Sequence, residues 1–165
     1  MKIFGLVGRS GSGKTTLIVR LLSFFRAQGF SVSTIKHAHH GFDLDRPGKD
    51  SYRHREAGAE EVMVVSDTRW ALMHELRDEG APPLEALIRL MTPVDLLLIE
   101  GFHTHPHPAL EVFRPSSGHD LIWRPGSDII AIASDEVLSQ VTVPVLDLND
   151  VAEIAVFILG HAVEL

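Results

Sequence analysis

Residues 8–15 read Gly-Arg-Ser-Gly-Ser-Gly-Lys-Thr and match G-x-x-x-x-G-K-[ST] at every defined position. No other feature constrains the chain as much, because the motif works only as the turn between a buried strand and a helix. Both flanks comply. Residues 2–7 are a short apolar run, and Leu17, Ile18, Leu21, Leu22 and Phe25 recur at helical spacing until Gly29 stops the helix. Gly8, Gly11 and Gly13 permit the backbone angles that turn successive N–H groups toward one anion. The helix N-terminus adds unpaired donors and its dipole. Lys14 brings a mobile charge to the terminal phosphates, and the Thr15 hydroxyl suits Mg²⁺. The whole loop, with Arg9, Ser10 and Ser12, is expected to hold a nucleoside triphosphate.

The rest of the chain alternates strand and helix signals. Residues 30–35 read as a second strand, and residues 36–49, rich in His, Asp, Gly and Pro, as a long loop of the kind that usually carries function. Residues 50–58 suit a short helix. Residues 61–65 and 70–76 suit a hairpin across Ser66-Asp67-Thr68, and Pro82 and Pro83 open a helix running to Met91. Residues 94–99 form the most continuous aliphatic run, as in a strand buried on both faces. Further strands are expected at 109–113, 128–133 and 143–146. Asn149 or Asp150 then caps a last helix carrying Val151, Ile154, Ala155 and Ile158. This order predicts an α/β fold with a largely parallel sheet, in one domain over residues 1–165.

Composition removes several classes. With 45% hydrophobic and 22% charged residues the chain is not a disordered one. The lack of cysteine excludes disulfides, thiolate metal sites and a thiol nucleophile, and fits a reducing cytoplasm. No apolar run approaches the ~20 residues of a membrane span. The start of the chain is too soon interrupted for a signal peptide, so a cytoplasmic, soluble protein without membrane contact is expected. A net charge of −7 argues against nucleic acid as a partner. The charge is uneven, however: residues 1–60 hold ten Lys/Arg against five Asp/Glu, and residues 61–165 five against seventeen. A basic first third suits an anionic ligand held there.

A P-loop needs an acid at the end of a neighbouring buried strand to support the metal. Glu100 closes the Leu96–Ile99 run, and Gly101 is expected to let the backbone approach the phosphates; Asp95, at the other end, reads as a cap or a solvated group. The loop Lys36-His37-Ala38-His39-His40-Gly41-Phe42-Asp43-Leu44-Asp45 lies at the same sheet edge as the P-loop in an open α/β sheet. Phosphate or substrate contact is the reading taken for it, with a His37, His39 and His40 metal site as the alternative.

The P-loop, Lys36-His37-Ala38-His39-His40, Asp45-Arg46-Pro47-Gly48-Lys49-Asp50-Ser51-Tyr52-Arg53, Ala57-Gly58-Ala59 and Glu100-Gly101-Phe102 together resemble the molybdopterin-guanine dinucleotide biosynthesis protein B family (MobB). So do Ile132-Ala133-Ser134-Asp135 and Leu146-Asp147-Leu148-Asn149-Asp150, and the likeness runs in order over nearly the whole chain. The resemblance implies a three-layer P-loop NTPase fold, mostly parallel with some antiparallel strands. It implies a homodimeric GTP-binding protein of the SIMIBI group, with Mg²⁺ and weak GTPase activity. It also implies a partner, the nucleotidyltransferase that joins GMP to molybdopterin, and through it molybdopterin or the molybdenum cofactor. By the resemblance, Gly11, Ser12, Gly13, Lys14, Thr15 and Thr16 hold nucleotide and Glu100 supports Mg²⁺. Pterin or phosphate contact falls to His37, His39, Asp45, Lys49, Ser51 and Arg53. Related SIMIBI proteins carry a signature lysine five residues before the P-loop lysine that reaches the opposing subunit's nucleotide. Arg9 stands at that position, where a solvent-facing arginine is the plain alternative.

Two departures stand out. His103-Thr104-His105-Pro106-His107 follows Glu-Gly-Phe where the family often has a basic residue, and no Asn-Lys-x-Asp motif marks guanine choice. Asp135 or Asp150, each just past a strand, is a candidate acceptor for guanine N1–H and the 2-amino group, with helix capping the alternative for the 149–150 pair. No glutamine stands at a recognisable water-orienting position. Asp43 and Asp45 are the candidates for that role, and slow unaided hydrolysis is expected. Two other functions use the same motif. One is a small-molecule kinase with its acceptor in the 36–49 loop; the other is a nickel-chaperone-like metal carrier, suggested by ten histidines.

Overall fold

Side-chain alternation along the strands sorts the apolar residues onto two faces of one sheet. A computed structural model describes residues 1–38, 41–102 and 105–165. These divide into two compact units, Met1–His37 with Arg89–Leu165, and Ala38–Ile88.

The first unit holds β1 (Lys2–Val7), α1 (Lys14–Ala27), β2 (Val32–Lys36), β5 (Leu96–Glu100), β6 (Ala109–Phe113), β7 (Ile129–Ser134), β8 (Val145–Asp147), α4 (Val151–His161) and β9 (Val163–Glu164). Its sheet runs β2-β5-β1-β6-β7-β8, parallel throughout, and β9 pairs antiparallel with the start of β1 through Lys2↔Glu164 and Ile3↔Val163. β1 lies between β5 and β6, so the loop after it emerges at the middle of the C-terminal edge.

Phe4 and Leu6 of β1, Leu96 and Leu98 of β5, and Leu110 and Val112 of β6 face α1 and α4, meeting Leu17, Leu21, Phe25, Ile154 and Ile158. The intervening residues face the other way. There Val7, Ala109, Phe113, Ile129 and Ile132 pack with Trp123, under irregular chain that includes Leu121, Ile122, Leu138 and Val141. Glu111 also points to that side and is fully buried; its carboxylate accepts the Ile122 and Trp123 N–H groups at 2.8 and 2.7 Å.

The second unit contains α2 (Asp50–Glu56), β3 (Glu61–Val65) and β4 (Trp70–His74), and α3 (Leu84–Arg89) leads out of it. β3 and β4 form the expected antiparallel hairpin, closed by the Ser66 N–H donating to the Arg69 carbonyl at 2.9 Å. Met63, Val65, Trp70 and Leu72 share one hairpin face, all exposed. At the open end of this face His74 meets Glu61 at 2.9 Å, which raises the histidine pKa.

The sheet is mostly parallel with helices and a small antiparallel pair, as the sequence predicts. β2 starts two residues later than expected, and β9 was unanticipated because two residues leave no periodicity. Asp150, not Asn149, caps α4, accepting the Glu153 N–H at 2.9 Å. Asp95 accepts from the Ser31 N–H and hydroxyl at 2.8 and 2.6 Å, tying the start of β2 to that of β5 and lowering its pKa through those bonds. Among the described residues no helix is long and apolar enough to cross a membrane.

Candidate functional site

β1 carries the chain into a glycine turn that no other residue could make. Gly8 has φ 150°, and a Cβ there would stand 2.5 Å from the Val112 carbonyl oxygen and 2.8 Å from Ser12 Oγ. The loop therefore packs directly on the end of β6. Gly13 precedes α1 in the left-handed region, at φ 95°, so no capping side chain occupies the first N–H groups of the helix. No acidic residue sits in the first turn either. Those donors and the positive end of the helix dipole face outward. Ser12 Oγ is buried without a hydrogen-bond partner among the described residues. A buried hydroxyl left in that state costs stability unless a ligand completes it.

Lys14 folds back over the loop, its ammonium donating to the Gly8 and Arg9 carbonyls at 2.6 and 3.1 Å. Burial pushes its pKa below the usual lysine range; Glu100 opposes that shift and Lys36 adds to it. Lys36 at the end of β2 approaches Glu100 at the end of β5, Nζ to Oε1 3.3 Å, with the lysine largely in solvent and the carboxylate mostly enclosed. A pair this exposed adds little stability. Its effect is to place one cation and one carboxylate beside the loop. Ser10 through Thr16, Lys36 and Glu100 line a single cleft of about 410 Å³.

The structure thus brings together Gly8, Ser10, Gly11, Ser12, Gly13, Lys14, Thr15, Thr16 and Glu100, while Arg9 contributes its carbonyl to Lys14 and leaves its side chain exposed. Gly101 is also packed closely on its own side of the sheet edge. It has φ 91° and a Cβ there would lie 2.9 Å from the His37 Cβ, so its freedom serves close packing on the chain after β2. His37 donates its N–H to the Glu100 carbonyl at 2.8 Å, and its ring lies 5.0 Å from that of Phe102. His39, His40, His103 and Thr104 lie outside the described residues. Among the described residues no group of three or more His, Asp or Glu is placed to hold a metal ion.

Asp43, Asp45, Lys49, Ser51 and Arg53 belong to the second unit. Asp43 accepts from Arg55 Nη2 at 2.9 Å through both oxygens, and Asp45 Oδ2 lies 3.5 Å from Arg55 Nε. Glu75 takes Arg55 Nη1 at 2.7 Å, and Ser51 Oγ donates to Asp45 Oδ1 at 2.9 Å. The Asp45 N–H bond to Asp43, and then Arg55, lower the Asp43 pKa. Lys49 precedes α2 and Arg53 lies exposed upon it. Arg55 is the hub that sequence reasoning missed, since its three acidic partners come from positions 43, 45 and 75.

Arg114 was missed as well. It follows β6 and its Nη1 donates to Asp135 Oδ2, just past β7. It also borders the loop: a Cβ on Gly13 would stand 3.4 Å from Arg114 Nε.

A central strand, a glycine turn on the strand edge, an uncapped helix with its lysine, and an acid one strand away define a P-loop NTPase fold. The chain belongs to the MobB family: the family described as Molybdopterin guanine dinucleotide synthesis protein B matches residues 3–135. It is 42% identical over 157 residues to the Molybdopterin-guanine dinucleotide biosynthesis adapter protein of Escherichia coli (strain K12), covering 91% of this chain and 87% of that one. Against the protein of the same name from Haemophilus influenzae it is 37% identical over 158 residues, with 94% and 86% covered. Among solved structures, Bacillus subtilis MobB superposes with a TM-score of 0.74 at 26% identity, covering all of both chains. A crystal structure of molybdopterin-guanine biosynthesis protein B gives 0.72 at 27% identity, covering 96% of this chain and 98% of that one.

Proposed function

We propose that this chain is an adapter in molybdopterin-guanine dinucleotide biosynthesis that binds Mg·GTP at its P-loop and works with the nucleotidyltransferase joining GMP to molybdopterin. The observation that carries the reading is the cleft of Ser10–Thr16, Lys36 and Glu100, with an uncapped helix end and an unpartnered buried Ser12 hydroxyl. Such a donor set fits phosphate oxygens. The names of the relatives point to the pathway. In a reconstituted guanylylation with limiting GTP, adding this chain raises dinucleotide yield; an unchanged yield would remove the adapter role.

The Thr15 hydroxyl and the Glu100 carboxylate line the same cleft, and both are oxygen donors of the kind Mg²⁺ takes. They would hold the ion, which when bound neutralises charge on the terminal phosphates. Glu100→Gln keeps the size of the side chain and removes its charge. The gain in GTP affinity on adding Mg²⁺ should then fall by about tenfold or more, given the strength of hydrogen bonds to charged groups. Titrations with and without the metal read this directly, and an unchanged gain would displace Glu100 from the role.

Hydrolysis by the free chain is slow in this reading. Asp43 and Asp45, the carboxylates proposed to align water, are engaged by Arg55. Arg9 is the cation proposed to act across a homodimer, and its exposure agrees with that. The exposed apolar face of the β3–β4 hairpin supports self-association, because an isolated two-stranded sheet is marginal alone. His37, Lys49, Ser51 and Arg53 are the proposed pterin or phosphate contacts. Without a placed arginine or glutamine, P-loop GTPases run about 10³–10⁵-fold slower, so single-turnover hydrolysis should stay well below ~1 s⁻¹. Fast hydrolysis unaffected by Asp43→Asn and Asp45→Asn would point to a self-sufficient NTPase.

A further inference from the structure

The sheet order gives the P-loop two different flanks. On one side β5 and β2 end in Glu100 and Lys36, which line the phosphate cleft. On the other side β6 and β7 end beside Arg114 and Asp135, adjacent in register because Phe113 pairs with Ser134. A triphosphate whose terminal end lies toward Glu100 directs its nucleoside toward the second flank. The end of β6 already presses on the loop, and Arg114 carries that contact on to Gly13, whose Cβ position lies 3.4 Å from Nε and 3.8 Å from Nη2. The arginine is held at both its side chain and its backbone. Its Nη1 donates to Asp135 Oδ2, and Ser117 Oγ donates to its carbonyl at 2.7 Å.

We propose that Arg114 and Asp135 form a base-reading clamp, in which the guanidinium plane carries the face of the purine and the carboxylate reads its edge. The proposal rests on the P-loop being a triphosphate site. Guanidinium is planar, weakly hydrated and stacks on aromatic rings. An ionised carboxylate only accepts hydrogen bonds, so with Oδ2 taken by Arg114 its Oδ1 meets the adjacent N1–H and 2-amino donors of guanine. Adenine presents an acceptor at N1 and xanthine a carbonyl at C2, and the carboxylate repels both. The sequence singles out Asp135 alone; Arg114 follows a different strand, so no contiguous motif reveals the pair.

The test is equilibrium binding of GTP, ATP, XTP and inorganic tripolyphosphate to the intact chain, to Arg114→Ala and to Asp135→Asn. Arg114→Ala should weaken GTP by about five- to twentyfold, the range for a cation over a ring, and leave tripolyphosphate unchanged. Asp135→Asn should cost GTP about ten- to a hundredfold and shift preference toward XTP, since an amide donates to the C2 carbonyl. Equal loss of GTP and tripolyphosphate in Arg114→Ala would make the arginine a phosphate ligand and overturn the clamp. An unaltered GTP, ATP and XTP ranking in Asp135→Asn would also overturn it. Failure of the unmodified chain to bind either tripolyphosphate or GTP would instead remove the triphosphate site on which the clamp depends.

Discussion

Lys14→Ala should weaken Mg·GTP binding by about ten- to a hundredfold while leaving thermal stability nearly unchanged, because charge-assisted hydrogen bonds to phosphate contribute roughly 1.5–3 kcal/mol each. The two halves of this expectation have different causes. The affinity falls because the ammonium stands in the cleft with Ser10–Thr16 and Glu100, where a phosphate would replace its present carbonyl partners. The fold survives because those partners, on Gly8 and Arg9, are within reach of water once the side chain is gone. Burial also depresses the lysine pKa from its ordinary 10.5, so the fold itself disfavours the charge. Between the depressed value and 10.5 the unfolded chain binds more protons than the folded one, and stability rises with pH across that window. Lys14→Ala should abolish that rise. Calorimetry for binding and unfolding scans at several pH values check both halves, and unchanged GTP affinity in a folded variant would contradict the site.

Glu111→Ala should be the more damaging change to the fold, costing on the order of 2–5 kcal/mol and lowering Tm by about 5–15 °C. The carboxylate is fully buried in the middle of β6 and receives the Ile122 and Trp123 N–H groups. Without it, two backbone donors lose their acceptor, and each such group costs about 1–3 kcal/mol where it is buried. Trp123 packs with Val7 and Phe113, so the damage reaches the second core. It also reaches the site, because β6 supplies the Val112 carbonyl behind Gly8 and leads directly into Arg114. Glu111→Gln retains one acceptor oxygen and should cost less than half as much. Denaturant unfolding of both variants measures the difference; a near-neutral Glu111→Ala would show that the 121–123 segment is not held by this carboxylate.

Glu111 also shows where sequence reading stops. A charged residue in Ala109–Phe113 alternates with Leu110 and Val112 and reads as the solvated face of a strand. It is buried because an irregular segment eleven and twelve residues later returns with two free N–H groups, and no local pattern announces that return. Arg114 and Arg55 were illegible for the same reason, as their carboxylates lie at distant positions. What the sequence did disclose is local in origin. The glycine turn, the α1 stripe and the aliphatic β5 run each depend on neighbours a few residues away, and together they locate the cleft. Glu100 was legible because strand ends in a parallel sheet share one edge. The close packing of Gly101 was not legible because its tight neighbour, His37, comes from another strand's end.

The most direct measurement is calorimetric titration of the intact chain with GTP and with ATP, each with and without Mg²⁺. One nucleotide should bind per chain, tighter for GTP than for ATP and tighter still with Mg²⁺. No saturable binding of either nucleotide, or equal binding of both without any response to Mg²⁺, would contradict it.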